Sequence, residues 1–357
     1  AALTFAVVSL SPSNGFTSGS MQEGMSYEVC GVSPDAIVAS LDGNGASADL
    51  ITYWIGYNAT YLNSYMQYYG GGALDWDYVM SDGTAMPDYI KQDVLATVKQ
   101  ELLIENLAKK YGVTLTDEQR AAIESEEQSF IEQYGSEEAF EEELAKLGLR
   151  RETYERITSA NYLYQNLYKL YLTEGSALYA SNEDLAAYAA AQGYITADHI
   201  LLTTVDTATG EALSDEAIAE KKALAEELAE KLKNYTGDDL ASYFAELADE
   251  YSEDPGRASN PSGYTFTTGS MVQEFEDAAY ALDEGAVSDI VESRFGYHIL
   301  LRLPLDKTAA AETVREDYFS NFIDEQMDKA KTATSAEYDK LDAKALYEAI
   351  VAAQAEG

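Results

Sequence analysis

Two segments far apart in the chain decide the fold: Ala197-Asp198-His199-Ile200-Leu201-Leu202 and Phe295-Gly296-Tyr297-His298-Ile299-Leu300-Leu301. Each is a short, largely apolar run, which is typical of a buried strand. They carry the two histidines of the whole chain, His199 and His298. The stretch between these histidines therefore organises the interpretation of the sequence.

The elements between the two histidines follow a definite order. Helical runs begin near Ser214 and Asp238, and the second ends in Tyr251-Ser252-Glu253-Asp254-Pro255-Gly256. The segments Gly263-Tyr264-Thr265-Phe266 and Gly269-Ser270-Met271-Val272-Gln273-Glu274-Phe275-Glu276 come next. This order and these residues resemble the parvulin-type peptidyl-prolyl isomerases. The resemblance covers residues 194–304 and implies a parvulin-like domain there, a small antiparallel sheet flanked by helices.

The resemblance also implies which side chains form the site. It implies that the two histidine strands are neighbours, so that both imidazoles share one hydrogen-bond network under the substrate. The implied catalytic residues are His199, Asp254 and His298, and the implied substrate-binding residues are Met271, Phe275 and Tyr264. A lone strand histidine is more often a core residue, but two histidines that both match the motif favour a site. Asp254 has an alternative interpretation, because Asp-Pro-Gly is ordinary turn chemistry.

Isomerisation of a prolyl bond sets modest chemical demands. Rotation about the C–N bond faces a barrier of roughly 18–20 kcal/mol, because resonance gives that bond double-bond character. A catalyst needs a dry slot for the proline ring and polar groups that favour the twisted amide. A carboxylate at Asp254 is expected to raise the basicity of a nearby imidazole and to fix its tautomer. We expect no cofactor and no metal, and the family site has none.

Two features depart from common parvulin patterns. The family often has Gly-Gly-Asp-Leu-Gly before its second strand, whereas this chain has Asn260-Pro261-Ser262-Gly263-Tyr264-Thr265-Phe266. The assignment of Tyr264 to the rim of the slot depends on the register of this loop. The segment Thr203–Thr207 also lacks the Lys/Arg cluster with which some parvulins select phosphorylated substrates, so phosphate-directed specificity is disfavoured.

Composition excludes several classes of function. The chain has 357 residues, enough for more than one domain, and its formal net charge is −40. Such a charge repels phosphate backbones, so nucleic acid is not an expected partner. The one cysteine, Cys30, excludes an internal disulfide and a cysteine cluster for zinc or iron–sulfur.

The N-terminal residues 1–34 are interpreted as a leader and tether. Residues 1–10 are apolar, which is compatible with the tail of a signal peptide or a membrane anchor, and equally with an edge strand or a loose terminus. Residues 11–34 are rich in Ser, Gly and Met and show no periodicity, which indicates a tether.

Residues 35–193 are expected to form a helical, chaperone-like region. A helix that begins near Ala48 carries Tyr53, Tyr57, Tyr61 and Tyr65 at steps of four, which places these rings on one face. The simpler interpretation is a stripe that packs into the core. The alternative is an aromatic surface that contacts unfolded polypeptides.

Residues 305–357 read as C-terminal helices, with runs over Thr313–Lys331 and Glu337–Ala352. The resemblance to extracytoplasmic parvulin foldases implies that they pack on the N-terminal region. The predicted fold class is α+β, with a parvulin-like domain inserted in a mainly α-helical domain.

The favoured function is a prolyl isomerase and chaperone similar to the PrsA and SurA foldases. Its expected partners are unfolded or partly folded exported polypeptides with X-Pro bonds, and its expected location is extracytoplasmic in a bacterium, membrane-associated or secreted. The alternative is a holdase whose parvulin-like domain binds peptide without significant catalysis. The sequence leaves the oligomeric state and the membrane tether open.

Overall fold

A computed structural model of the protein describes residues 15–355. They fall into two compact units: residues 15–178 with 323–355, and Tyr179–Phe322. The chain passes from the second unit back to the first within α12 (Glu312–Lys329).

The first unit is mainly helical. Its helices are α1 (Met25–Cys30), α2 (Ala48–Tyr65), α3 (Met86–Tyr111), α4 (Asp117–Tyr134), α5 (Glu137–Lys146), α6 (Arg151–Leu172), α13 (Ala336–Lys340) and α14 (Ala343–Ala355). A short π-helical segment, Met66–Gly70, follows α2. The strands β1 (Ile37–Leu41), β2 (Asn44–Ser47) and β7 (Thr332–Thr334) form an antiparallel sheet in the order β2-β1-β7.

Local capping chemistry explains where these helices begin and end. At the start of α4, Thr116 Oγ1 accepts a hydrogen bond from Gln119 N at 3.2 Å, and Gln119 Oε1 accepts one from Thr116 N at 2.9 Å. This reciprocal pair is a capping box. Gly135 ends α4 in the left-handed conformation, and Ser136 then caps α5.

A buried carboxylate ties α2 to α6. Asp49, in the first turn of α2, is fully buried and accepts hydrogen bonds from Arg150 Nε at 2.9 Å and Thr153 Oγ1 at 2.6 Å. It also accepts one from Leu50 N at 3.0 Å. Buried charge is costly unless it is paired and hydrogen-bonded, and Asp49 meets both conditions.

The interpretation of the tyrosine stripe on α2 as core-facing is wrong for three of its four members. Tyr57, Tyr61 and Tyr65 are 57%, 63% and 50% exposed, and only Tyr53 is partly buried. The buried face of α2 is built instead from its small and aliphatic residues, Leu50, Ile51, Ile55, Gly56 and Ala59. Periodicity identified the shared face but not the direction in which that face points.

The described part of the expected tether is ordered. Residues 25–30 form α1, and Val32 is fully buried. The Asp35 carboxylate accepts hydrogen bonds from Ser20 N at 2.9 Å and Met21 N at 3.2 Å, which fixes the preceding segment. The tether interpretation of residues 15–34 is therefore corrected. The expectation for residues 1–10 lies outside the described residues.

The C-terminal segment differs in detail from the predicted helices. The run predicted over Glu337–Ala352 is two helices, α13 and α14, interrupted at Leu341 and Asp342. The strand β7, which precedes them and pairs with β1, was not predicted. In the first unit, Ile350 of α14 lies against Gly56 of α2, where a Cβ atom would collide with it.

The second unit contains a four-stranded antiparallel sheet with helices on both faces. Its strands are β3 (Ile195–Thr203), β4 (Tyr264–Phe266), β5 (Val291–Ser293) and β6 (Gly296–Leu303), in the order β4-β3-β6-β5. Its helices, besides the first part of α12, are α7 (Asn182–Gln192), α8 (Asp215–Lys233), α9 (Leu240–Tyr251), α10 (Gln273–Ala281) and α11 (Leu305–Ala310). The predicted α+β fold class is confirmed.

Each face of this sheet has its own core. Alternation along β3 sends Ile200 and Leu202 to the face that packs on α8 and α9 through residues such as Leu228 and Phe244. The opposite face carries a smaller cluster, built from Ile195, Ala197, Phe266, Phe275, Ala279 and Leu300. His199 and His298 belong to this second face by strand alternation.

The boundaries of the second unit differ from those expected for the isomerase module. The sequence placed them at residues 194 and 304, whereas the compact unit begins at Tyr179 and ends at Phe322. α7 and α11 pack on each other and extend the unit at both ends. Thr308 of α11 also donates a hydrogen bond to Thr196 of β3 at 3.0 Å. Among the described residues, no helix is long and apolar enough to cross a membrane.

We predict that Asp49→Ala lowers the free energy of unfolding of the first unit by about 2–3 kcal/mol, because it removes the buried partner of Arg150 and leaves only the exposed Glu152. Trp54 and Trp76, the two tryptophans of the chain, both lie in this unit, so tryptophan fluorescence in urea reports on it. Arg120→Ala is the control, because its ion pair with Asp117 is exposed and contributes less than about 1 kcal/mol. If Asp49→Ala and wild type unfolded at the same urea concentration, Asp49 would not stabilise the first unit.

Candidate active site

The pairing of β3 with β6 places the two histidines side by side. His199 lies opposite Leu300, and His298 lies opposite Leu201, so the histidines are diagonal neighbours on one face of the sheet. Their ring centroids are 5.5 Å apart, and both side chains are buried. The neighbouring strands implied by the resemblance are present.

An aromatic and thioether wall surrounds the imidazoles. The ring of Phe275 meets both edge-on, at centroid distances of 5.2 Å to His199 and 5.8 Å to His298. Tyr264 stacks on His199 at 5.5 Å. Met271 is partly buried and packs against the same apolar cluster as Phe275. The structure thus brings five of the six predicted site residues into one apolar cluster.

The sixth, Asp254, lies at the edge of this group and contacts it through Tyr264. The Tyr264 hydroxyl donates to Asp254 Oδ2 at 2.6 Å. The distance from the same oxygen to His199 Nε2 is 3.7 Å, too long for a hydrogen bond. The expectation that Asp254 fixes the imidazole tautomer by a direct bond is therefore wrong. Asp254 Oδ1 also accepts from Gly256 N at 3.1 Å, so the carboxylate serves the turn as well.

Burial decides the charge state of both imidazoles. It lowers the pKa of His298 to about 4, and the neighbouring His199 adds to this effect. Burial also lowers the pKa of His199, and this outweighs the opposing influence of Asp254. Asp254 raises the pKa of both imidazoles, as expected, but desolvation has the larger effect and the net pKa of each falls. Burial, followed by the bond to Asp254, raises the pKa of Tyr264 to about 12.

Ser293 fixes the second imidazole and was missed from the sequence. Its hydroxyl shares a hydrogen bond of 2.7 Å with His298 Nε2 and also accepts from Phe295 N at 3.1 Å. Ser293 reaches this position because β5 pairs with β6. A three-residue strand gives almost no periodic signal, so this contact was not predictable from the pattern.

An ion-pair network lies beneath His199. Asp198, buried in β3, accepts hydrogen bonds from the Arg257 guanidinium and from His199 N, the latter at 2.8 Å. Arg257 also binds Asp249 at 2.8 Å. This ion-pair network was not predicted. Its one indication in the sequence is that Arg257 is the only basic residue between Lys233 and Arg294.

Glu276 orders the loop that carries Met271. Its side chain is buried and accepts hydrogen bonds from Met271 N at 2.8 Å and Gly269 N at 3.0 Å. Because these donors belong to the loop before α10, the carboxylate holds Met271 in place from within the first turn of that helix. The helix N-terminus favours this negative charge.

Two glycines permit the close approach of chains around the site. Gly263 has a φ of +85°, and a Cβ atom there would lie 2.9 Å from the Ala197 carbonyl oxygen. Gly296 has a φ of +144°, and its Cβ atom would collide with the Leu202 carbonyl oxygen. Any L side chain would push β4 or β6 away from β3. Gly263 thereby fixes the register that sets Tyr264 beside His199.

The site geometry defines a class of protein. Aromatic and apolar side chains packed around two buried histidines, within a β4-β3-β6-β5 sheet, fit a prolyl isomerase. Across residues 15–355 no group of three His, Cys, Asp or Glu side chains is arranged to hold a metal ion. Residues 199–303 match the family model described as the PPIC-type PPIase domain of the rotamases. This stretch is therefore a parvulin-type domain, as the sequence indicated.

The chain is similar to named foldases over this part. It is 38% identical to "Foldase protein PrsA" of Geobacillus sp. (strain WCH70) over 120 residues, which are 33% of this chain and 43% of that protein. It is 49% identical to "Foldase protein PrsA 4" of Bacillus cereus over 77 residues, 21% of this chain and 25% of that protein. It is 35% identical to "Chaperone SurA" of Chromohalobacter salexigens over 113 residues, 30% of this chain and 25% of that protein.

These matches cover less than half of each relative's length. They support the recognition of a PrsA/SurA-like parvulin domain.

We predict that the His298 imidazole stays neutral until the pH falls to about 4, and that His199 also titrates below its ordinary value of 6.5. Because the pKa of each imidazole is lower in the folded state than in the unfolded state, the protein has its full free energy of unfolding above pH 6.5. This free energy decreases as the pH falls from 6.5 towards about 4, by up to about 3 kcal/mol for His298.

Nitrogen-detected NMR of the imidazoles measures the pKa of each histidine directly. The chain holds two histidines, so the variant His199→Gln assigns both signals. Titration of His298 near pH 6.5 would contradict the buried, neutral site.

Proposed function

We propose that the parvulin domain catalyses cis–trans isomerisation of X-Pro bonds. In this proposal Met271 and Phe275 grip the proline ring, and Tyr264 forms the rim of the slot. His199 and His298 lie beneath the reacting amide, and Asp254 positions Tyr264. These side chains come from strands and a helix that are distant in sequence, and they pack into one apolar cluster. This convergence is the observation that carries the proposal.

The mechanism needs only non-covalent effects. A planar amide has a charge-separated resonance form that polar solvent stabilises, and a twisted amide has lost that resonance. Transfer of the substrate into an apolar hollow therefore disfavours the planar state relative to the twisted one. A reduction of the barrier by about 4 kcal/mol accelerates exchange roughly a thousandfold.

Neutral imidazoles suit this chemistry better than charged ones. With a pKa of about 4, His298 brings no net positive charge under the substrate at neutral pH. A neutral ring has one donor and one acceptor nitrogen, and Nδ1 of each imidazole has no hydrogen-bond partner among the described residues, so that it is available to the amide. The bond from Ser293 holds His298 in orientation for this role. We therefore assign Ser293 as a positioning residue.

For the whole chain we propose a foldase that acts on exported, unfolded or partly folded polypeptides outside the cytoplasm. The names of the similar proteins, foldases and a chaperone, support this assignment. The first unit, residues 15–178 with 323–355, would supply the chaperone-like part. An N-terminal membrane tether belongs to the same proposal. A module that binds peptide without catalysis is less favoured, because burying two imidazoles costs desolvation that gripping a proline ring does not require.

We predict that the full-length protein accelerates exchange in a short Ala-Pro peptide, and that Met271→Ala lowers kcat/KM by about tenfold or more through loss of about 1.4 kcal/mol of transition-state contact. His298→Ala should lower it as well. A protease-coupled or NMR exchange assay measures these rates.

Met80→Ala is the matched control, because Met80 is a partly buried methionine of the first unit. Its rate should equal that of wild type. A wild-type protein without activity, or equal rates for Met271→Ala and Met80→Ala, would overturn the proposed slot.

A further inference from the structure

A row of exposed tyrosines runs along the first unit. Tyr57, Tyr61 and Tyr65 of α2 are at least half exposed, and Tyr68 and Tyr69 of the π-helical segment are 82% and 71% exposed. The rings of Tyr65 and Tyr69 lie 4.8 Å apart, and those of Tyr68 and Tyr69 lie 4.6 Å apart. Contiguous exposed apolar surface of this kind marks interaction sites. We call these five residues the tyrosine row.

The row leads into a cavity of the same unit. Tyr53, one helical turn before Tyr57, lines this cavity, and the two rings lie 6.3 Å apart. The cavity has a volume of about 310 Å³. Its other walls include Phe130, Phe140, Leu144, Leu149 and Tyr154. Glu143 and Lys146, which form an ion pair with each other, also line it. Its mainly aromatic and aliphatic walls suit one large apolar side chain of a partner.

The charge around the row selects the partner. Residues 1–90 contain no Lys, Arg or His, whereas Asp75, Asp77 and Asp82 are exposed in the loop that follows the row. Tyrosine faces attract ammonium and guanidinium groups, and nearby carboxylates add to that attraction. The same acidic surface repels an anionic membrane, and the net charge of −40 opposes docking of a second copy.

The distance from Tyr53, which lines the cavity, to Tyr65 in the row fits an extended polypeptide. From Tyr53 to Tyr65 the helix rises about 18 Å at 1.5 Å per residue. An extended polypeptide advances about 3.3 Å per residue, so five or six residues span this distance. Each tyrosine step of four helical residues then corresponds to roughly two residues of the partner, which is the repeat of side chains on one side of a strand.

We propose that the tyrosine row and its cavity bind an extended, basic segment of an unfolded polypeptide. One large apolar side chain of that segment fills the cavity, and its Lys or Arg side chains lie over the tyrosine rings. The proposal rests on the proposed foldase function for the origin of such segments, and it does not depend on the isomerase slot.

The test uses the full chain and a fluorescent, proline-free peptide that contains one Trp and four Lys or Arg residues. Fluorescence anisotropy should give a Kd that rises about threefold in Tyr61→Ser and about ten- to a hundredfold in Tyr57→Ser/Tyr61→Ser/Tyr65→Ser. Tyr179→Ser is the control, since Tyr179 is an exposed tyrosine of the other unit, and its Kd should match wild type. Replacement of the peptide's Trp by Ala should weaken binding, and replacement of its basic residues by Glu should abolish it.

An unchanged Kd in the triple variant, or equal binding of the basic and acidic peptides, would overturn the proposal. So would row-dependent binding to phosphatidylglycerol vesicles in place of the peptide, or a dimer in analytical ultracentrifugation that the triple variant loses. The triple variant should keep the wild-type exchange rate on the Ala-Pro peptide. Loss of peptide binding with an active slot therefore separates failure of this proposal from failure of the isomerase.

Discussion

The antiparallel pairing of β3 with β6 is the constraint on which the site depends. It brings together two histidines that almost a hundred residues separate, and it places them diagonally on one face. The opposite face of the same strands packs on α8 and α9, so the register cannot slip without exposing a core. Gly296 allows the two backbones to approach closely where the pairing begins. Packing on one face thus fixes geometry on the other.

Burial then gives the histidines their chemical character. Burial within the apolar cluster removes water from both imidazoles, which lowers the pKa of each. Ser293 satisfies one nitrogen of His298, and the charges of Asp198 and Arg257 neutralise each other beneath His199. Two neutral imidazoles beside a large apolar wall suit the proposed twisting of an amide.

The sequence predicted the features that depend on local chemistry. The bounds of α4 follow from its capping box and from Gly135, and Met271 and Phe275 were selected through a motif. The exposure of Tyr61 was not predictable, because periodicity shows that residues share a face but not where it points. Asp254 accepts a hydrogen bond from the Tyr264 hydroxyl and not from an imidazole, and a fold-level pattern does not specify such a contact. The strand β7 is too short to give a periodic signal.

The central claim is that the hollow beside both imidazoles holds the proline ring. Intermolecular NOEs between an Ala-Pro peptide and the full-length protein, with labelled Met methyl groups, test this claim most directly. We expect NOEs from the proline ring protons to the Met271 methyl group and to the Phe275 ring. Proline contacts confined to the first unit, with none at Met271, would contradict it.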